Sequence, residues 1–320
     1  MAPRNWLDML GFGRNHIHEI GIDISRDGLR LAQLANYGRG VGLIAGSYEC
    51  WPADLEPGSV QWQRWVVDRL QSLVSRGSFR GKLVKVALPS GDVYIESVKM
   101  PKKPEPELED ALFARIRQHM PSGCTKEGTL IKYLAIGEDN ALVMASDRET
   151  INRYLAVYEK AGLEVRAIGV WPEALVSCYT TFFGRRKSDL EAVVLLLNVE
   201  AKYTNLVIAR HVNVLFARSI PIGGETLTDE KAINRLVLEV TACRRDFASM
   251  CRESTISRLI FLSGPIVETH IYADIAKQLE VQAQIGDCLV AVEMSDPMCQ
   301  ELDRRDVHVN WATAFGLSLS

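Results

Sequence analysis

Apolar and polar positions begin to alternate at residue 20. Ile20-Gly21-Ile22-Asp23-Ile24-Ser25 is followed by Arg26-Asp27-Gly28 and then by Leu29-Arg30-Leu31-Ala32-Gln33-Leu34. Period-two alternation on both sides of a short Gly-bearing turn predicts a β-hairpin. A third extended run, 41–49, follows Gly38-Arg39-Gly40, so three antiparallel strands come first. Residues 60–74 place Trp62, Trp65, Val66, Arg69, Leu70 and Leu73 at helical spacing, and 82–88 reads as a buried strand.

The pattern then changes. Residues 92–100 alternate as a strand, 101–106 form a Pro/Lys-rich break, and 107–120 read as a helix ending before Pro121. Two more strands, 129–136 and 141–146, precede a helix over 148–161 that stops at Gly162, and the chain resumes at 165–169. Strand, helix, strand, strand, helix is a small α+β unit inserted into a first lobe.

The second half repeats the opening. Strands are expected at 191–198, 203–209 and 213–220, followed by Pro221-Ile222-Gly223-Gly224. In both halves the first turn follows a polar residue near a strand end, Asp23 in one and Asn198 in the other. A helix over 230–250, a strand over 258–262, the turn Ser263-Gly264-Pro265, a helix over 266–279, a strand near 281–284 and an apolar tail at 311–319 complete the pattern. The expected division is a leader (1–16), a first lobe (17–87), an inserted subdomain (88–168), a return to the first lobe (169–190), a second lobe (191–308) and a C-terminal helix (309–320). Internal duplication of this kind makes up the actin-like, ribonuclease H-like two-lobed α/β fold.

Composition narrows the function. The chain of 320 residues is 47% hydrophobic and 24% charged, enough for two cores, and its net charge of -3 gives no pull toward nucleic acid. Its seven cysteines include no CxxC pair and read as reduced core thiols. Apolar runs such as 192–197 fall short of the roughly 20 residues a membrane-spanning helix needs. The leader carries Trp6, Leu7, Met9, Leu10 and Phe12 without the long apolar core of a signal peptide. It reads either as a surface-docked leader or as a membrane-surface or partner contact. His16, His18, His119, His211, His270 and His308 have no metal-ligand spacing, and no P-loop, GxSxG elbow or GxGxxG motif is present. Glu105, Glu107, Glu109 and Asp110 read as a solvated helix N-terminus and not as a paired-carboxylate site. No catalytic residue and no metal site are expected.

Several motifs in order carry a family resemblance: Gly21-Ile22-Asp23-Ile24, Ala87-Leu88-Pro89-Ser90, Ser97-Val98-Lys99-Met100-Pro101, Ala161-Gly162-Leu163, Gly223-Gly224-Glu225-Thr226-Leu227-Thr228 and Ala314-Phe315-Gly316-Leu317-Ser318-Leu319. Over nearly the whole chain this resembles the PilM family of type IV pilus assembly proteins, with the related MshI proteins and the cytoplasmic part of the GspL secretion proteins. The resemblance implies an actin-like fold with an inserted subdomain. It also implies a cytoplasmic scaffold at the inner membrane, among other pilus or secretion platform proteins. There it would bind the tail of a PilN-like membrane partner in a groove between the first lobe and the insert.

The resemblance further implies a nucleotide site between the two hairpin turns, where small residues let backbone N–H groups approach phosphates and a strand-end Asp orients a metal. The residues standing there are Asp23, Ser25 and Arg26 in the first turn, Asn198, Glu200, Lys202 and Thr204 in the second, and Gly223, Gly224 and Gly264 nearby. Asn198 supplies no carboxylate, and Glu200 puts charge where phosphate would lie. Like charges at about 4 Å repel by about 4 kcal/mol at an effective dielectric near 20, unless Arg26 or Lys202 compensates. Pro265 removes a backbone donor. Asp23 reads either as a strand-end cap or partner of Arg26 or Lys202, or as a residual metal site, and Gly223-Gly224 as a positive-φ turn. The single helix between Gly224 and Arg258 leaves a minimal fourth subdomain. The expectation is therefore a scaffold with a degraded nucleotide site and no cofactor. The alternatives are an ATP-binding actin-like ATPase that gates assembly and a filament-forming protein.

Overall fold

The computed structural model describes residues 16–320 apart from 39, 53, 102, 105, 106, 121–123, 137, 138, 253, 265 and 295–308, and of His119 only the backbone. The expectations for residues 1–15 of the leader, Glu105, Pro265, Cys299 and His308 lie outside the described residues.

The opening hairpin forms as its alternation predicts. β1 (Ile20–Ile24) pairs antiparallel with β2 (Gly28–Tyr37), which pairs with β3 (Gly40–Cys50). After α1 (Val60–Arg76), whose N-cap Ser59 accepts from the Trp62 N–H, β4 (Leu83–Ala87) adds parallel to β1. The chain then builds β5 (Tyr94–Lys99), α2 (Glu107–Ile116), β6 (Thr129–Ile136), β7 (Asn140–Asp147) and α3 (Arg148–Lys160), and returns as β8 (Glu164–Gly169), parallel to β4. Gly162, at φ +77°, ends α3, with the Leu163 N–H bonded back to the Tyr158 carbonyl.

Three strands of the insert form their own antiparallel sheet, β5-β7-β6. Along β7, Ala141, Val143 and Ala145 face Leu108, Leu112 and Ile116 of α2, while Leu142 and Met144 join the core of the first lobe. One strand thus ties the insert to the lobe through its period of two. The helix expected to reach residue 120 instead ends at Ile116 and continues as one 3₁₀ turn, Arg117–His119.

The second lobe contains β9 (Val193–Val199), β10 (Thr204–Arg210), β11 (Asn213–Ile220), α5 (Glu230–Met250), β12 (Ile256–Phe261), α6 (Thr269–Leu279) and β13 (Ala283–Ile285). Its sheet order, β11-β10-β9-β12-β13, reproduces the β3-β2-β1-β4-β8 order of the first. Val193, Leu195, Leu197 and Val199 face α5 and α6, whereas Val194 and Leu196 belong to the same core cluster as β1. One core cluster therefore runs through both lobes, and a second lies within the second lobe.

Four elements were not anticipated, one of them the 3₁₀ turn Lys187–Asp189. α4 (Trp171–Phe182) occupies the return segment, where Trp171, Ala174, Leu175, Cys178, Tyr179 and Phe182 stand at helical spacing. The short α7 (Cys288–Ala291) and the two-residue β14 (Glu293–Met294), which adds to β3, carry no readable pattern. The helix expected over 266–279 begins only at Thr269.

The tail forms α8 (Ala312–Leu319), apolar on every side and buried from Ala312 through Ser318. It packs on β1, β2 and β4, while α4 packs on α8 and on β10 and β11. A Cβ on Gly21 would lie 2.0 Å from the Ala314 carbonyl oxygen, and one on Gly316 would lie 1.8 Å from that of Ala174. Glycine is required at both places by contact, since neither has a positive φ. Ser318 Oγ donates to the Glu19 carbonyl at 2.8 Å and accepts the Leu34 N–H at 3.1 Å.

Candidate functional site

The two hairpin turns meet across the cleft between the lobes. Hairpin register sets their chemistry: in the first, Asp23 lies opposite Arg30, and in the second, Asn198 lies opposite Asn205. Duplication thus places a charged pair in one lobe and a pair of amides at the equivalent position of the other.

Arg30 fills the first turn. Its side chain is 2% exposed and is bound by Ser25 Oγ and the Asp27 carboxylate, with Asp23 Oδ2 at 3.6 Å. The Tyr48 ring lies 5.1 Å from the guanidinium carbon. Asp23 is therefore paired, but with Arg30, and not with Arg26 or Lys202, the partners offered by one of its alternative readings. Lys202 is exposed, and Arg26 turns instead toward Gly91 and Tyr203.

In the second turn, Asn198 is fully buried and Glu200 is 9% exposed. Asn310 Nδ2 donates to Asn198 Oδ1 at 2.8 Å and to the Val199 carbonyl at 3.1 Å. Asn205 Nδ2 donates to Glu200 Oε1 and to Ser90 Oγ, both at 2.7 Å, and Ser90 Oγ lies 3.4 Å from both Glu200 oxygens. Ser90 follows β4 in the first lobe, so these bonds cross the cleft. Thr204 Oγ1 donates to the Ile222 carbonyl at 2.7 Å.

Gly223 and Gly224 do not have positive φ, contrary to expectation. A Cβ on Gly223 would lie 2.5 Å from the carbonyl oxygens of both Glu200 and Ala201, and the Gly224 and Glu225 N–H groups bond those same carbonyls. The glycines let this segment close against the Glu200 turn. Gly264 does have positive φ, +65°, beside Asp287.

Three carboxylates share one guanidinium in this cleft. Burial, reinforced by Asp23 and Asp27, pushes Glu200 up to about 8. Burial likewise raises Asp23, against the pull of Arg30. Burial acts to raise Asp27 too, but the charge and hydrogen bonds of Arg30 hold it below the usual carboxylate range. Asn198 Nδ2, Asn205 Oδ1, Tyr158 OH and Arg30 Nε are buried without a hydrogen-bond partner. Among the described residues no group of His, Cys, Asp and Glu is arranged to hold a metal ion.

A second concavity lies at the seam of the first lobe and the insert. It encloses about 200 Å³. Leu88, Val93 and Val170 line it from the strand ends, Leu130 and Met144 from β6 and β7, and Ile151 from α3. Lys132 is its one formally charged lining residue. β6 is an edge strand of the insert sheet and β8 an edge strand of the larger one.

Arg30, Ser90, Asn205, Asn310 and Tyr158 escaped the sequence reading. Counting the register outward from the Arg26-Asp27 turn would have placed Arg30 opposite Asp23. Nothing in the sequence links Asn310 to Asn198, 112 positions away.

The family model described as type IV pilus assembly protein PilM matches residues 21–236. A solved structure titled PilM-PilN type IV pilus biogenesis complex superposes with a TM-score of 0.72 at 20% identity, covering 94% of this chain and 98% of that one. A Bacteroides thetaiotaomicron protein of actin-like ATPase fold and unknown function superposes with a TM-score of 0.50 at 13% identity, covering 91% of this chain and 96% of that one. The cytoplasmic domain of EpsL, an inner-membrane component of the Vibrio cholerae type II secretion system, matches at a TM-score of 0.48 and 15% identity, over 77% of this chain and 82% of that one. No curated protein matches the sequence. The actin-like fold expected from the duplicated pattern is the fold observed.

Proposed function

The chain belongs to the family of type IV pilus assembly protein PilM, and on that premise we propose that it is a non-catalytic scaffold that binds the cytoplasmic tail of a PilN-like inner-membrane partner. The observation that carries this reading is the open apolar groove between the first lobe and the insert. Leu88, Leu130, Met144 and Ile151 offer seats for apolar anchors, and Lys132 offers a charge to fix orientation. An extended tail laid there also meets the free edges of β6 or β8, whose backbone groups can bond it. No described helix is long and apolar enough to cross a membrane, so on this reading the protein is held at the inner membrane from the cytoplasmic side by its partners.

The cleft supports the same reading from the other direction. Asp23, Ser25, Asn198, Glu200 and Thr204 are bonded to protein partners, and Arg30 occupies the cation's place among the carboxylates. Glu200, pushed up to about 8 by burial, is largely uncharged at neutral pH, so what it sets against a phosphate there is its buried, bonded side chain and not the charge expected from sequence. We read the cleft as a former nucleotide site now used for internal packing, its residues including Arg26, Lys202, Gly223, Gly224 and Gly264.

Calorimetric titration tests both halves. A synthetic tail peptide from a PilN-like protein should bind, and Leu130→Arg should weaken it at least tenfold while shifting Tm by less than about 2 °C, because Leu130 is only half-buried on an edge strand. Magnesium and ATP should give no heat. Peptide affinity unchanged in Leu130→Arg would move the tail out of this groove. Micromolar ATP binding would replace the scaffold with a nucleotide-gated ATPase.

A further inference from the structure

The seam between the first lobe and the insert has another opening, beside the segment that leads into α1. It is a polar concavity of about 350 Å³ and shares no lining residue with the apolar groove. We propose that it binds a small phosphate monoester carrying hydroxyl groups, its phosphate held by Arg26 and Arg153 and its hydroxyls by Glu56 and Asp92. The ligand of this cavity is independent of the tail, because no side chain serves both places.

Local geometry separates the two openings. Asp92 lines the polar cavity while its neighbour Val93 lines the apolar groove, as extended backbone requires of successive residues. In α3, Arg153 and Tyr154 line the cavity and Ile151 the groove. Arg26 enters from the first hairpin turn, its Nη2 3.5 Å from the place that a Cβ on Gly91 would take. Arg153 reaches across from the insert, its Nη1 3.8 Å from the corresponding place on Gly58. Two guanidinium groups, one from each side of the seam, thus face one cavity.

Neither guanidinium is neutralised from within. Among the described residues Arg26 has no hydrogen bond or ion pair, and Arg153 is bonded only through Nη2 to Thr150 Oγ1 at 3.0 Å, with its Nε buried and without a partner. Glu56 and Asp92 line the same cavity, yet neither pairs with either arginine; Asp92 Oδ2 instead takes the Tyr154 hydroxyl at 2.7 Å. A guanidinium is a planar fork of donors that matches phosphate oxygens two at a time. A phosphate monoester, nearly doubly charged at neutral pH, has oxygens and charge enough for both forks. Ionised carboxylates only accept, so Glu56 and Asp92 repel a bare oxyanion but take up hydroxyl donors beside it. Together the four groups favour a hydroxylated ester over inorganic phosphate, and both over a polyol without phosphate.

The test is calorimetric titration of the full chain in phosphate-free buffer at fixed ionic strength, with glycerol 3-phosphate, inorganic phosphate and glycerol as probes. Glycerol 3-phosphate should saturate one site with a Kd below about 1 mM, inorganic phosphate should bind at least tenfold more weakly, and glycerol should give no heat. Arg26→Gln and Arg153→Gln should each weaken glycerol 3-phosphate at least tenfold. They stand on opposite walls, so the site stays testable if one variant folds poorly. Glu56→Gln, at an exposed position, should narrow the gap between the two phosphates to less than about threefold. Vesicles of phosphatidylglycerol should not retain the chain, and retention abolished by the arginine variants would overturn the assignment to a free ester. No saturation by about 10 mM glycerol 3-phosphate, or an affinity unchanged in both arginine variants, overturns the proposal.

Discussion

Replacing Arg30 by Leu removes the guanidinium shared by Asp23 and Asp27 while keeping an apolar side chain in the cleft. The Asp23 contact at 3.6 Å corresponds to about 5 kcal/mol of gross attraction at an effective dielectric near 20. Removing one partner of such a buried pair costs about 3–5 kcal/mol, because the abandoned charges stay buried. For a chain of 320 residues that is a fall in Tm of roughly 5–7 °C at pH 7. The sign of the pH dependence identifies the cause. Without Arg30, the folded-state pKa values of Asp23 and Asp27 rise well above their unfolded values, so the folded variant takes up protons first and regains stability as pH falls. In the native chain Asp27 is held low, so the stability it contributes is intact from pH 7 to pH 5 and is lost only on further acidification, which leaves the variant's own proton uptake as the cause of any change in that window. The gap between native chain and Arg30→Leu in urea unfolding should therefore narrow steadily from pH 7 to pH 5. A cost below about 1 kcal/mol at pH 7, or a gap that does not change with pH, would refute the account of Arg30 as the cleft's internal counterion.

Two further outcomes follow from packing. Gly316→Ala should cost about 3 kcal/mol or more in urea unfolding, since its Cβ would overlap the Ala174 carbonyl and the two helices would have to separate. Thiol labelling of the native chain should modify Cys50 rapidly, because it is exposed, and should leave Cys178, Cys243 and Cys288 protected until the core opens. The expectation that all the cysteines are core thiols fails at Cys50, which ends β3 with its sulfur 2.8 Å from the Tyr48 hydroxyl.

Most strands were readable because each has one face in a core. In β7, Leu142 and Met144 point one way and Val143 and Ala145 the other, and that alternation survives in the sequence. α4 carries the same kind of signal, since Trp171, Ala174, Leu175, Cys178, Tyr179 and Phe182 recur at helical spacing, so its helix was legible in the sequence although it is absent from the expected elements. At the site, the polar residues of both turns were identified, but their partners were not. For Asp23 the sequence leaves open a strand-end cap, a pair with Arg26 or Lys202, or a residual metal site, although hairpin register favours Arg30. Ser90 and Asn310 could not be found that way, because their bonds depend on how the lobes are placed. The motifs carrying the family resemblance have a physical explanation at both ends of the chain: Gly21 and Gly316 are small because α8 presses against β1 and α4.

The position of α8 also constrains how the protein is made. β1 and β2 leave the ribosome well before α8, and the residue that takes the Leu34 N–H is Ser318, 284 positions later. At about 5–20 residues per second, that interval is about 15–60 s. Throughout it, the face of the nascent sheet that α8 will cover has no native partner and is available to chaperones or to misassociation. The first lobe therefore completes its packing only after the second has been synthesised, which makes the two lobes one unit of biogenesis.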